Sequence, residues 1–141
     1  MTKISTDVLR VLVAEDQAII GLMLAEGLED AGFHVVGPYR SCAHALGSLD
    51  SERPDLAIVD FGLADGPGHE LFERLHTRGI PFVIYSGNRR QESLCRRAGD
   101  PPWVEKPSPF QTLLDTLNTI AAKCYRSSGG GPMLLASASG E

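Results

Sequence analysis

Five side chains with reactive or charged ends stand where a strand-forming run gives way to a turn. They are the acidic pair Glu15-Asp16, then Asp60, Ser86 and Lys106. The runs before them are residues 8–14, 55–59, 80–85 and 103–105. Each residue alone has an ordinary structural role. An acidic pair before a helix favours its N-terminal N–H groups, Ser-Gly suits a turn, and a Lys before Pro is commonly solvated. It is the set, at the ends of four strands in order, that points to chemistry.

Three carboxylates brought together are unstable unless one takes a proton or a cation neutralises them. Mg²⁺ is the natural counter-ion, a hard cation that takes oxygen ligands and keeps several waters. Asp16 and Asp60 are expected to coordinate directly, Glu15 through water, with the Gly62 carbonyl completing the protein ligands. Asp60 can then attack phosphorus as a carboxylate nucleophile to give an aspartyl phosphate. Lys106 and Ser86 are suited to the charge on the phosphoryl oxygens.

The elements that must position this set follow from periodicity. Strand-like runs are expected at residues 8–14, 33–36, 55–59, 80–85 and 103–105. Helices are expected at residues 17–31, from Ser41 to Leu49, and at 69–76, 89–98 and 109–125. Gly37-Pro38 is read as ending the second strand, residues 62–68 as a turn-rich loop, and Asp65 as a turn residue within it. Strands alternating with helices argue an α/β fold, a parallel sheet covered on both faces. Every strand of such a sheet ends on one rim, and ligands bind where the strand order reverses. If the order is 2-1-3-4-5, strands one and three are neighbours and all three carboxylates meet there. Strand alternation turns Trp103 and Glu105 away from Val104 and Lys106. Trp103 is expected on the face joining the fourth helix, fifth strand and fifth helix. From residue 126 the sequence turns Ser- and Gly-rich, a flexible-tail signal, with an apolar patch at residues 133–136. Residues 1–125 are therefore read as one domain and 126–141 as a tail.

The acidic pair Glu15-Asp16, Asp60 after an apolar strand, Ser86, and Lys106-Pro107 together resemble the response-regulator receiver domains of two-component signalling, across residues 9–124. The resemblance implies a flavodoxin-like, doubly wound five-stranded sheet and Mg²⁺-dependent phosphorylation of Asp60. The donor it implies is a histidine kinase or histidine phosphotransfer protein. It also implies a cis bond before Pro107 and a switch made of Ser86 and the aromatic Trp103. The segment 81–88 is similar to single-domain receivers whose fourth-strand loop reads Phe-Ala-Thr-Gly-aromatic. Ile84, Tyr85, Ser86 and Asn88 depart from that pattern and only Gly87 is kept.

Composition excludes other classes. The 141 residues suit one domain, and a net charge of -5 argues against a broad nucleic-acid surface. Three scattered cysteines fit a reducing cytoplasm and neither a disulfide framework nor a zinc site. No run is long and apolar enough for a membrane span, so a cytoplasmic protein is expected. His34, His44, His69 and His76 are read as surface or packing residues, Arg89-Arg90 and Arg96-Arg97 as a solvated basic patch, and Tyr85 as a candidate gate beside Ser86. A phosphohydrolase using Asp60 would need a second Asp where Gly62 stands. A nucleotide or flavin binder would need a phosphate-cradling loop where Glu15-Asp16 stands. A silent dimerisation module would not need the complete acid, Ser and Lys set. With no output domain read after the fifth helix, a stand-alone switch acting through an unknown downstream protein is expected, and a homodimer is left open.

Overall fold

Val11, Leu12 and Val13 are completely excluded from solvent, which a run of branched apolar residues achieves only when both faces of its strand are covered. They form β1 (Arg10–Ala14), and the computed structural model, which describes residues 8–128, places this strand inside a parallel sheet. β2 (His34–Tyr39) lies on one side of β1 and β3 (Leu56–Val59) on the other. A small antiparallel hairpin, β4 (Gly62–Leu63) and β5 (Gly66–Pro67), follows β3. Then come β6 (Phe82–Ser86) and β7 (Trp103–Glu105). The sheet order is β2-β1-β3-β6-β7, which is the expected 2-1-3-4-5 once the hairpin is set aside.

The helices are α1 (Ala18–Asp30), α2 (Cys42–Glu52), α3 (His69–Thr77), α4 (Glu92–Arg97) and α5 (Phe110–Ser128). Alternate strand residues separate two cores. Val11 and Val13 pack with Leu24 and Leu28 of α1 and Leu113 and Leu117 of α5. Leu12 and Ile84 pack on the opposite face with α2, α3 and α4, through Leu49, Phe72 and Leu94 among others. Phe72 is wholly buried and stacks at 5.8 Å on Phe82; burial of such a side chain stabilises by about 2 kcal/mol.

Four expectations are corrected. β2 does not stop at Val36 but continues through Gly37 and a cis Pro38 to Tyr39. The pairing slips between Leu12 and Ala14, so β2 fits an extra residue there. An edge strand tolerates a proline and such a bulge because its outer side has no ladder to complete. α2 runs on to Glu52, since the first residue to leave helical conformation is Arg53, at φ 49 before Pro54. α4 is only six residues, and residues 87–91 are loop. α5 runs past the expected end at residue 125 and is helical through Ser128, the last described residue. The apolar patch at residues 133–136 lies outside the described residues.

Candidate functional site

The sheet ladder itself delivers the site. The Glu15 amide donates to Tyr39 O at 2.8 Å, the Asp60 amide to Ala14 O at 2.9 Å and the Lys106 amide to Ser86 O at 2.9 Å. Three of the five candidate residues are thus one step past a strand, with backbones still held by it. Ser86, 1% exposed, closes β6 two positions after Ile84, the partner of Val59. The bulge in β2 brings the Tyr39 carbonyl level with Glu15. Gly37 makes this possible, with φ +104 and no room for a side chain: a Cβ there would lie 2.8 Å from Tyr39 N and 2.9 Å from Val13 O.

Glu15, Asp16 and Asp60 come together with carboxylate oxygens within 4.8 Å of one another. Glu15 is 2% exposed and Asp60 7%. Lys106 Nζ reaches across, donating to Glu15 Oε1 at 2.8 Å and to Asp60 Oδ2 at 3.0 Å. Tyr85 lies beneath that ammonium, its ring centroid 5.4 Å away, a spacing at which the ring face attracts a cation. Burial pushes the Glu15 carboxyl up to about 7, against the pull of Lys106 and of the Gln17 amide, which donates to Oε2 at 3.1 Å. Burial alone would lower Lys106, but the bonds to Glu15 and Asp60 outweigh it and hold the ammonium above its ordinary value. The site is therefore a buried acidic cluster with a single ammonium bridging two of its members.

The Lys106–Pro107 peptide is cis. Gly62 begins the hairpin, and its amide lies 3.4 Å from Asp60 Oδ1. The Ser86 hydroxyl accepts from the Asn88 amide at 3.1 Å, which leaves its own proton free to donate. Trp103 is half-buried on the α4 side of the sheet, while Val104 faces the core of α1 and α5. The expected alternation holds, but Trp103 packs with the cluster of α2, α3 and α4 and not with that of α5.

Some residues of the site carried no signal in the sequence. Phe61, directly after Asp60, touches Trp103 (ring centroids 6.0 Å), Phe72 and His69. Asn88 accepts the Trp103 indole N–H at 2.9 Å through its main-chain oxygen. Trp103 is thereby tied to both Asp60's neighbour and Ser86's bonding partner. Arg40 donates through Nε to Asp16 O at 3.0 Å. The basic patch is partly spent within the fold: Arg90 pairs with Glu92 and Asp100, and Arg97 with Glu73. The first two turns of α1, beside Asp16, leave Ile19, Leu22 and Met23 more than half exposed. No described helix is long and apolar enough to cross a membrane.

Comparisons with known proteins agree with this geometry. The family described as "Response regulator receiver domain" matches residues 11–118. The chain is 26% identical over 117 residues to the transcriptional regulatory protein PdtaR of Mycobacterium tuberculosis, covering 81% of this chain and 57% of that protein. It is 31% identical over 138 residues to the two-component response regulator PhoP of Pseudomonas aeruginosa, covering 90% and 60%. Among solved structures, a CheY-like response regulator receiver domain protein from Methanospirillum hungatei superposes with TM-score 0.76 at 25% identity. That match covers 89% of this chain and 100% of the other. The chain thus spans little more than half the length of the curated relatives it matches.

Proposed function

Since this chain belongs to the response-regulator receiver family, we propose that it is a phosphoacceptor switch in which Asp60 takes a phosphoryl group from a phosphohistidine donor. The donor is a histidine kinase or histidine phosphotransfer protein, and the output passes to a further protein by contact. The observation that carries this reading is the convergence of Glu15, Asp16 and Asp60 with Lys106 bridging two of them.

The donor set is all hard oxygen and bears excess negative charge, which fits Mg²⁺. Asp16 and Asp60 would hold the ion directly and Glu15 through water, with the Gly62 carbonyl as a further ligand. Bound there, the cation would offset the charge of the phosphoryl group and of the carboxylates around it. The chain's own groups do the rest. An Asp60 oxygen forms the new O–P bond as the donor's N–P bond breaks, and the electron pair leaves with the imidazole. Lys106, already bonded to Asp60 Oδ2, stays beside the oxygens that gain charge. Ser86 donates its free hydroxyl proton to one of them. Slow return of the phosphoryl group to water resets the switch. The motion of Ser86 reaches Trp103 through Asn88, the residue that bonds both.

Incubation with acetyl phosphate and Mg²⁺, followed by intact mass, tests the assignment. Wild type should gain the mass of one phosphoryl group, and Asp60→Asn or chelated protein should gain none. A gain that persists in Asp60→Asn would sink it.

A further inference from the structure

The N-terminus of α2 is capped from two directions. A helix start leaves its first amides without partners inside the helix, and here those of Cys42, Ala43 and His44 are met by side chains. Asp65 Oδ1 accepts from the Cys42 amide at 2.7 Å and Oδ2 from the Ala43 amide at 3.0 Å. Ser41 Oγ accepts from the His44 amide at 3.1 Å, and the Ala45 amide donates to Ser41 O at 3.1 Å. Ser41 is the helix's own cap. Asp65 comes from elsewhere, from the turn between β4 and β5, in the hairpin that opens at Gly62.

A second set of bonds runs between the same segments. The Ala64 amide donates to Arg40 O at 2.9 Å, while Arg40 Nε donates to Asp16 O. The stretch from Arg40 to Ala43 supplies no carboxylate to the acidic cluster, yet it is bonded to both loops that do. One loop carries Asp16 and the other follows Asp60. These loops bear like charges that repel, so something must resist their separation. The hairpin is otherwise held by its own short ladder, by buried Leu63 and by the Gly68 amide on Phe61 O at 2.9 Å, while Gly62, Ala64 and Asp65 are exposed. Two bonds from an ionised carboxylate to helix-start amides are stronger than neutral ones and are favoured by the helix dipole. The same amides hold the Asp65 carboxyl below its ordinary range.

We propose that Asp65 is a positioning residue of the phosphoacceptor site. By gripping the first two amides of α2 it fixes the hairpin that carries Gly62. Together with Arg40 it sets the spacing between the Asp16 loop and the Asp60 loop. The proposal rests on the reading of the cluster as a Mg²⁺ and phosphoacceptor site.

The test compares Asp65→Ala and Asp65→Asn with Ser41→Ala, which removes the other α2 cap and leaves the hairpin untouched. Mg²⁺ affinity is measured by amide chemical-shift titration of the full chain, and loop order by hydrogen exchange over residues 62–68. Asp65→Ala should weaken Mg²⁺ binding about tenfold, the scale of losing a residue that orients a metal ligand, and should speed exchange of those amides. Asp65→Asn, which keeps an acceptor oxygen, should fall between and serves if the Ala variant does not fold. Ser41→Ala should lose thermal stability with Mg²⁺ affinity unchanged. Equal Mg²⁺ affinity in the Asp65 and Ser41 variants overturns the positioning role while leaving the metal site intact. Wild type that binds no Mg²⁺ overturns the metal reading, and this proposal with it.

Discussion

Replacing Glu15 by Gln removes a buried charge while keeping its shape, and the consequence is a change in pH dependence. The Glu15 carboxyl is raised from 4.5 to about 7, chiefly by burial. Between those values the folded protein holds a proton that the unfolded chain has lost. Stability must therefore fall as pH rises through that window and level off above it. Linkage between the two values gives roughly 2 kcal/mol lost between about pH 5.5 and about pH 8. For a domain of this size that is a fall in Tm of about 8 °C. Glu15→Gln should lack this slope, whatever offset it suffers from keeping only one acceptor oxygen for Lys106 and the Gln17 amide. Saturating Mg²⁺ at about pH 8 should restore wild type by binding only the folded state, and should help the variant less. Thermal melts of metal-free protein across this pH range, with and without Mg²⁺, measure all of it. Parallel slopes in wild type and Glu15→Gln would refute the burial argument, as would a metal-free wild type that is more stable at the higher pH.

Trp103 emission should change when the protein is phosphorylated, because its indole bonds the residue that also bonds Ser86. Ser86→Ala should weaken that change, and an unaltered indole ¹H–¹⁵N shift at full phosphorylation would exclude the coupling. Gly37→Ala should destabilise by about 2 kcal/mol, since a Cβ at φ +104 meets the Tyr39 and Val13 backbone. It should also disturb the Tyr39 carbonyl that holds the Glu15 amide, visible as a shift in the Glu15 amide resonance. Wild-type stability in Gly37→Ala would contradict the geometry.

The alternation of apolar runs with helical spacing carried the sheet and its five helices, because strand burial and helix amphipathicity leave their periods in the chain. The convergence of Glu15, Asp16, Asp60 and Lys106 was equally legible, since a parallel sheet aligns its strand ends whatever the side chains. What the sequence hid are contacts with no period. Gly37-Pro38 reads as a break, yet on an edge strand it is a bulge, and edge position is a tertiary fact. Asp65 reads as a turn residue, which it is; its bonds to α2 depend on how the hairpin folds back. Arg40 acts through its main-chain oxygen and a guanidinium aimed at a carbonyl, Phe61 through its ring face, and Asn88 through its main-chain amide and carbonyl. None of these follows a period or spacing that the sequence shows.

Both margins of the sheet are poor templates for a further strand. β2 is interrupted by Pro38, which offers no N–H, and by the register slip beside it. β7 is three residues long and confined between Pro101-Pro102 and Pro107. Short, proline-bounded or bulged margins discourage edge-to-edge pairing between chains. Growth by strand addition, the usual road to aggregation for an open sheet, is thus disfavoured at either end of the described sheet. Among the described residues, the surfaces that favour meeting a second molecule, whether another copy or a different protein, are helices and loops.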